Sequence, residues 1–211
     1  MKPTTNTALR VMELFPTPLF IVQTEGLDNH QLSAELYAVR DEEARAGIAD
    51  KEGRSNLGGF RSYDVLDRAA FQPLKQHILK TLNEHMVKGK WFAEPEVSAA
   101  QFASMWGVIN SRGHSNSTHN HPDSWMSGVY YARVPSDPSK AGSIGFRDPI
   151  LARSFTQAFY RSVQSELCSI EPKEGLLILF PSWAEHFVGP NQTDEDRIAI
   201  SFNIRHVSTL R

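Results

Sequence analysis

Residues 175–206 read GLLILFPSWAEHFVGPNQTDEDRIAISFNIRH, and the fold class turns on them. Leu176 to Phe180 is an unbroken apolar run between Gly175 and Pro181, the pattern of a buried strand. Arg197 to His206 alternates instead. Ile198, Ile200, Phe202 and Ile204 fall on one face, and Arg197, Ala199, Ser201 and Asn203 on the other. Between these two lie a short segment, His186 to Gly189, and a polar loop over 190–196.

Working outward, Phe102 to Asn110, Ser127 to Val134 and Ser143 to Phe146 have the composition of further short strands. Several short strands at near-regular spacing predict a sandwich or barrel. The chain changes character near residue 95. Before it, Leu32, Leu36 and Val39 give helical spacing from Asp28 to Ala46. Leu74, Ile78, Leu82 and Met86 make one stripe from Ala69 to Val87, with Gly89 as a stop. Leu14 to Val22 reads as extended, Ser55 to Gly59 as a turn, and Leu151 to Leu167 as a helix. The expectation is mainly β with flanking α: one domain over 1–211, helix-rich over 1–95 and barrel over 96–211, the N-terminal helices packed on one face.

Composition narrows the function classes. The 211 residues carry 22 Lys plus Arg against 24 Asp plus Glu, a formal charge of -2. That balance argues against an electrostatic nucleic-acid binder. The single cysteine, Cys168, forms no intramolecular disulfide and no Cys-rich zinc site. It reads as a buried small hydrophobe in a reducing compartment. The start lacks a signal-peptide core, and the apolar stretch at 14–22 is too short and too Pro-broken to span a bilayer. A soluble cytoplasmic protein without a membrane partner is expected, its early helices serving a homodimer or buttressing the barrel. Neither a Gly-rich phosphate loop nor a nucleophile elbow is present in the sequence.

The chemistry concentrates in HNHPD, residues 119–123. In an extended segment His119, His121 and Asp123 share a face, which makes a metal half-site. His186, after the buried strand, supplies a further imidazole. Two histidines and a carboxylate on one face form the triad of non-haem Fe(II) oxygenases, although zinc and manganese accept the same donors. If the loop over 190–196 closes a hairpin, Arg197 lies opposite Val188, which shares the parity of His186. The Cα atoms of Arg197 and His186 are then roughly 8–9 Å apart. A guanidinium there is a natural anchor for a carboxylate; the bland alternative is an ion pair with Asp194 or Glu195.

Tyr130 and Tyr131 fall on opposite faces of one strand, and one phenol faces the barrel, either packing or meeting a co-substrate. Tyr131 is the candidate for that role. Asn110 is a candidate for orienting a ligand, Trp106 reads as core, and Trp125 and Met126 read as packing. His114 and His206 are not expected as ligands, and His30, His77 and His85 read as surface.

Five stretches carry a resemblance: LFPTPLF (14–20), SNLGGF (55–60), HNHPDSWMSGVYY (119–131), GLLILFPSWAEHFVGP (175–190) and RIAISFN (197–203). On these the sequence resembles the 2-oxoglutarate and Fe(II)-dependent oxygenase superfamily, in particular a bacterial and phage group of about this length. The resemblance implies a double-stranded β-helix, a jelly-roll barrel with Fe(II) at its mouth. It implies 2-oxoglutarate held by the metal and Arg197, O₂ as co-substrate, and a small-molecule, amino-acid or peptide substrate. The superfamily's His-any-Asp is met by His121 and Asp123, and its distal histidine by His186. The similar group keeps both histidines of a His-any-His pair and often lacks the acid, so His119 and His121 are the alternative ligands. The superfamily's Arg-any-Ser is broken by Ala199, leaving Ser201 as a substitute hydroxyl. Two other readings stay open: a cupin-like metalloprotein that does not use 2-oxoglutarate, whether a three-histidine dioxygenase or an isomerase, and a silent binding module on the same fold.

Overall fold

The computed structural model describes residues 17–48, 55–87, 100–150 and 167–206. Within them two antiparallel sheets form. The larger contains β1 (Phe20–Gln23), β3 (Phe60–Arg61), β4 (Ala100–Asn110), β6 (Met126–Arg133), β9 (Leu176–Pro181) and β11 (Arg197–His206), in the order β1-β9-β6-β11-β4-β3. The smaller contains β2 (Asn56–Leu57), β5 (Ser115–His119), β7 (Ile144–Arg147), β8 (Leu167–Ile170) and β10 (His186–Val188), in the order β2-β5-β10-β7-β8. This is the jelly-roll arrangement of a double-stranded β-helix, a mainly β fold with flanking helices.

The larger sheet is covered on both faces, which explains its apolar sequence. The alternation in β11 sorts residues between two cores. Ile198, Ile200, Phe202 and Ile204 join Leu32, Leu36, Val39, Leu74 and Ile78 in one apolar cluster. Ala199 joins Val129, Ile178, Phe180, Ile144 and Phe146 in a second, built from both sheets. The strand β9 is buried along its whole length because its alternate residues enter opposite cores.

Helix α1 (Asn29–Arg45) begins where Asp28 accepts a hydrogen bond from the Gln31 backbone N–H at 2.8 Å, an N-cap. Its fully buried Leu36 sits directly against Gly107 of β4. A Cβ on Gly107 would lie 1.9 Å from Leu36 Cδ2, so only glycine admits the helix this closely. Helix α2 (Gln72–Thr81) follows a short 3₁₀ turn at Ala69–Phe71 and continues as a π-helical turn over Leu82–Val87.

Several expectations are corrected. Arg197 does not lie on a strand beside Val188. The strand β10 pairs with β5 and β7, whereas β11 pairs with β4 and β6, so the loop over 190–196 crosses between sheets. The segment Ser55–Gly59 is more than a turn. It contains β2 and leads into β3, and these two strands pair with β5 and β4 in different sheets. Ser115–His119 is a strand that its polar composition hides. Cys168 is exposed on β8 rather than buried, because that strand ends the smaller sheet. His77 is half-buried, its Nε2 3.0 Å from the Thr24 hydroxyl, so it is not a surface residue. The extended segment begins as a strand only at Phe20; positions 14–16, 89 and 151–166 lie outside the described residues. The same holds for the side chains of His85 and His206.

The Leu36–Gly107 contact gives a stability prediction. Leu36→Ala should destabilise the chain by about 2–5 kcal/mol, as a large-to-small change in a closed core. Leu57→Ala, at a half-exposed position, should stay within about 0.5 kcal/mol. Urea unfolding of both variants checks this.

Candidate metal and co-substrate site

The site begins with one strand pairing. In the β5–β10 ladder His186 is the direct partner of His119. His121 follows just beyond β5, where its backbone N–H donates to the Ser182 carbonyl at 2.8 Å and ties the loop to the turn after β9. The three imidazoles converge, with one ligand nitrogen from each within 4.8 Å of the others. Ring centroids are 4.2 Å apart for His119 and His186, 5.1 Å for His119 and His121, and 5.3 Å for His121 and His186.

Backbone carbonyls orient two of the rings. The Nδ1 of His119 is 2.8 Å from the Ser117 carbonyl, and that of His186 is 2.9 Å from the Ala184 carbonyl. A carbonyl only accepts, so each Nδ1 carries the proton and each Nε2 presents its lone pair. Burial favours the neutral form of all three. It pushes His186 down to about 3 and His121 down to about 4, with the neighbouring His119 adding to both shifts. His119 is lowered by burial too, and the Arg61 charge adds to that shift. Three neutral imidazoles, two of them oriented by backbone carbonyls, suit a divalent transition metal such as Fe(II), Ni(II) or Zn(II).

Asp123 stands elsewhere. The chain turns at Pro122, leaving Asp123 exposed and outside the group of converging ligand atoms. The alternation that would align His119, His121 and Asp123 ends with β5 at His119.

The same cavity, about 270 Å³, also takes in Arg197, Tyr131, Ser201 and Trp106. Arg197 is buried, and its Nη1 donates to the carbonyls of Ala141 at 2.9 Å and Gly142 at 2.5 Å. Gly142 has a φ of +82°, and a Cβ there would lie 2.7 Å from Nη1 and 2.2 Å from the Gly189 carbonyl. Glycine is therefore required for the backbone to grip the guanidinium. Asp194 and Glu195 do not pair with Arg197: Asp194 binds Arg112, and Glu195 accepts from Ser136. Burial lowers the Arg197 pKa from its ordinary value, and the nearby Tyr131 partly offsets this. Tyr131 is itself pushed up to about 12 by burial, so its phenol remains a donor. A buried guanidinium without a carboxylate, next to a neutral phenol, suits an anionic ligand.

Asn110 is fully buried and pairs with Arg197 in the β4–β11 ladder, but it is not part of the cavity wall. Its Nδ2 donates to Asn116 Oδ1, Asn116 Nδ2 donates to the Ser55 hydroxyl, and that hydroxyl meets His119 Nε2, each at 3.3 Å. Trp106, expected in the core, is buried and also lines the cavity, 5.8 Å from the His121 ring. Tyr130 faces the other core, where its hydroxyl donates to Asn29 Oδ1 at 2.6 Å. Sequence reasoning missed Ser55, Asn116 and Arg61. The first sits in a stretch read as a turn, the second on the hidden strand β5, and the third beside them on β3. The SNLGGF stretch was the available signal for Ser55.

Residues 104–203 match the family model described as "Putative 2OG-Fe(II) oxygenase". That match covers 100 of the 211 residues and runs from β4 to β11. Solved structures share the oxygenase fold. A prolyl-4-hydroxylase from Pseudomonas putida aligns with a TM-score of 0.57 at 13% identity, covering 91% of this chain and 94% of that one. The viral collagen prolyl hydroxylase of Paramecium bursaria Chlorella virus-1, solved with 2-oxoglutarate, gives 0.58 at 12% identity, covering 90% and 96%. HygX of Streptomyces hygroscopicus, solved with nickel, 2-oxoglutarate and hygromycin B, gives 0.52 at 14% identity, covering 90% and 84%. No curated protein sequence matches the chain. Among the described residues no helix is long and apolar enough to cross a membrane.

The convergence of His119, His121 and His186, with Asp123 outside it, gives a prediction for metal binding. His119→Ala should weaken Co(II) or Zn(II) binding by more than the roughly 10–100-fold expected for losing a supporting contact. Asp123→Ala should leave it unchanged. Competition with a chromogenic chelator measures both.

Proposed function

We propose that the chain is a 2-oxoglutarate- and Fe(II)-dependent oxygenase that oxidises a small organic substrate, with His119, His121 and His186 as the metal ligands. The observation that carries this reading is the opening of a three-imidazole cluster and a carboxylate-free Arg197 into one cavity. Fe(II) with bound 2-oxoglutarate supplies the oxidation: O₂ is consumed, 2-oxoglutarate becomes succinate and CO₂, and one oxygen atom enters the substrate.

The chain's own residues bind and orient. His119 and His186 are fixed on paired strands, so their Nε2 atoms are held in place before a metal arrives. Arg197 receives the far carboxylate of 2-oxoglutarate through its Nε and Nη2 groups, because Nη1 is committed to backbone carbonyls. The Tyr131 phenol and the Ser201 hydroxyl, both on the cavity wall, add neutral donors around that carboxylate. Phe146 and Phe180 pack against His186, at ring-centroid distances of 5.9 and 4.7 Å, and keep water from that side of the site. At about 270 Å³ the cavity falls just below the roughly 300–1,000 Å³ usual for ligand pockets, which favours a compact substrate.

Arg197→Ala should raise the 2-oxoglutarate concentration needed for half-maximal succinate release by about tenfold or more, while leaving metal affinity within a small factor. Succinate measured at fixed Fe(II) across 2-oxoglutarate concentrations tests this. An unchanged half-saturation would remove Arg197 from the co-substrate site.

A further inference from the structure

We infer that Ser55 is the hydroxyl that receives the metal-chelating end of 2-oxoglutarate, an inference that rests on the oxygenase reading above. Ser55 immediately precedes β2 and lines the cavity. Its hydroxyl is 3.3 Å from Nε2 of His119, the nitrogen that faces the metal in that reading. The His119 Nδ1 donates to the Ser117 carbonyl, so Nε2 has no hydrogen to give and the Ser55 hydroxyl is the donor. Asn116 Nδ2 donates to the oxygen of that hydroxyl, which is consistent with its hydrogen pointing to His119.

The turn that contains Ser55 is built to hold it. The Ser55 backbone carbonyl accepts from the Ser117 N–H at 2.8 Å and from the Ser117 hydroxyl at 3.3 Å, which docks it on β5. Behind Asn116 stands Asn110, fully buried, whose Nδ2 donates to Asn116 Oδ1. A Cβ on Gly59 would lie 2.2 Å from Asn110 Oδ1, so glycine in SNLGGF lets the chain close directly on that amide. Donation therefore runs in one direction, from Asn110 through Asn116 to Ser55. It starts at the ladder partner of Arg197 and ends beside His119. In the proposed function 2-oxoglutarate spans the same two points.

Ser55 also lies on the anchor side of His119. Its partner Asn116 pairs with Val188, and the next residue, Gly189, packs against Gly142, whose carbonyl holds Arg197. Coordination then assigns the acceptor. Three protein ligands on one face of an octahedral metal leave three open positions. Two of the three adjoin any one protein ligand, and a chelating oxoacid fills two. At least one of its oxygen atoms therefore adjoins His119. A metal on Nε2 takes the lone pair that the Ser55 hydroxyl faces, and a donor left unpaired in a cavity is costly. An oxygen of the chelating end is the acceptor that replaces it.

The test is an anaerobic titration of the full chain and Fe(II) with 2-oxoglutarate and, separately, with pyruvate, followed by visible absorbance. Pyruvate keeps the chelating end and lacks the far carboxylate. Ser55→Ala should raise the half-saturating concentration of both oxoacids by about tenfold and move the maximum of the absorbance band. Arg197→Ala should weaken 2-oxoglutarate alone. Ser55→Ala should change Zn(II) affinity by less than the roughly 10-fold expected for losing a supporting contact. Ser55→Thr and Ser55→Val share a shape and differ in the hydroxyl, so the first should bind both oxoacids at least about fivefold more tightly than the second. A thermal melt of each variant separates a local effect from misfolding. Unchanged half-saturation in Ser55→Ala, weakening of 2-oxoglutarate alone, a Zn(II) loss of about tenfold or more, equal binding by the Thr and Val variants, or no saturable binding of pyruvate to the wild type would each overturn the inference. If the wild type gives no band with 2-oxoglutarate, the oxygenase reading itself falls, and the inference with it.

Discussion

The pairing of β5 with β10 is the constraint on which the site depends. These strands are far apart in sequence, yet their register sets His119 opposite His186. Backbone carbonyls then fix two of the rings, and the loop tether at Ser182 brings in His121. A slip of one residue would send alternate side chains to the other face and disperse the cluster. The larger sheet supports this pairing indirectly. Its inner face supplies the apolar wall and Arg197, and its outer face is covered by α1 and α2.

Electrostatics gives that geometry its chemical character. Desolvation favours neutral imidazoles at His121 and His186, which leaves lone pairs rather than protons at the metal position. The same burial makes the Arg197 guanidinium costly unless it gains an anion. The carbonyls of Ala141 and Gly142 hold one nitrogen of that guanidinium, and Gly142 packs against the Gly189 carbonyl, so the rest of the fork is left for a ligand. The absence of a carboxylate from the cavity wall, among the described residues, makes the whole pocket receptive to negative charge.

Much of the architecture was legible in the sequence because it rests on strong local patterns. The alternation of β11 and the continuous run of β9 state directly how many faces each strand buries. The apolar stripe read from Asp28 to Ala46 places α1 to within a residue at each end. The strand β5 was illegible because Ser115, Asn116, Ser117 and Thr118 have the composition of a loop; only pairing with β2 and β10 makes them extended. The partner of Arg197 was missed for a related reason. A short polar loop between two strands suggests a hairpin, but here the hydrogen-bonding partners come from distant parts of the chain. Parity nevertheless placed Arg197 and His186 towards a common interior, because side-chain direction depends on alternation and not on which strand is adjacent. Asp123 marks the limit of the parity argument, which holds only while the chain stays extended. Arg61 and Asn116 could not be recognised as site residues until the two sheets were brought together.

The central claim is that one cavity holds both Fe(II) and 2-oxoglutarate, the metal on three histidines and the far carboxylate on Arg197. An anaerobic titration of the chain with Fe(II), with and without 2-oxoglutarate and followed by visible absorbance, tests it most directly. The account predicts a weak charge-transfer band that needs both components and is lost in His186→Ala. Tight Fe(II) binding with no band on adding 2-oxoglutarate would contradict it.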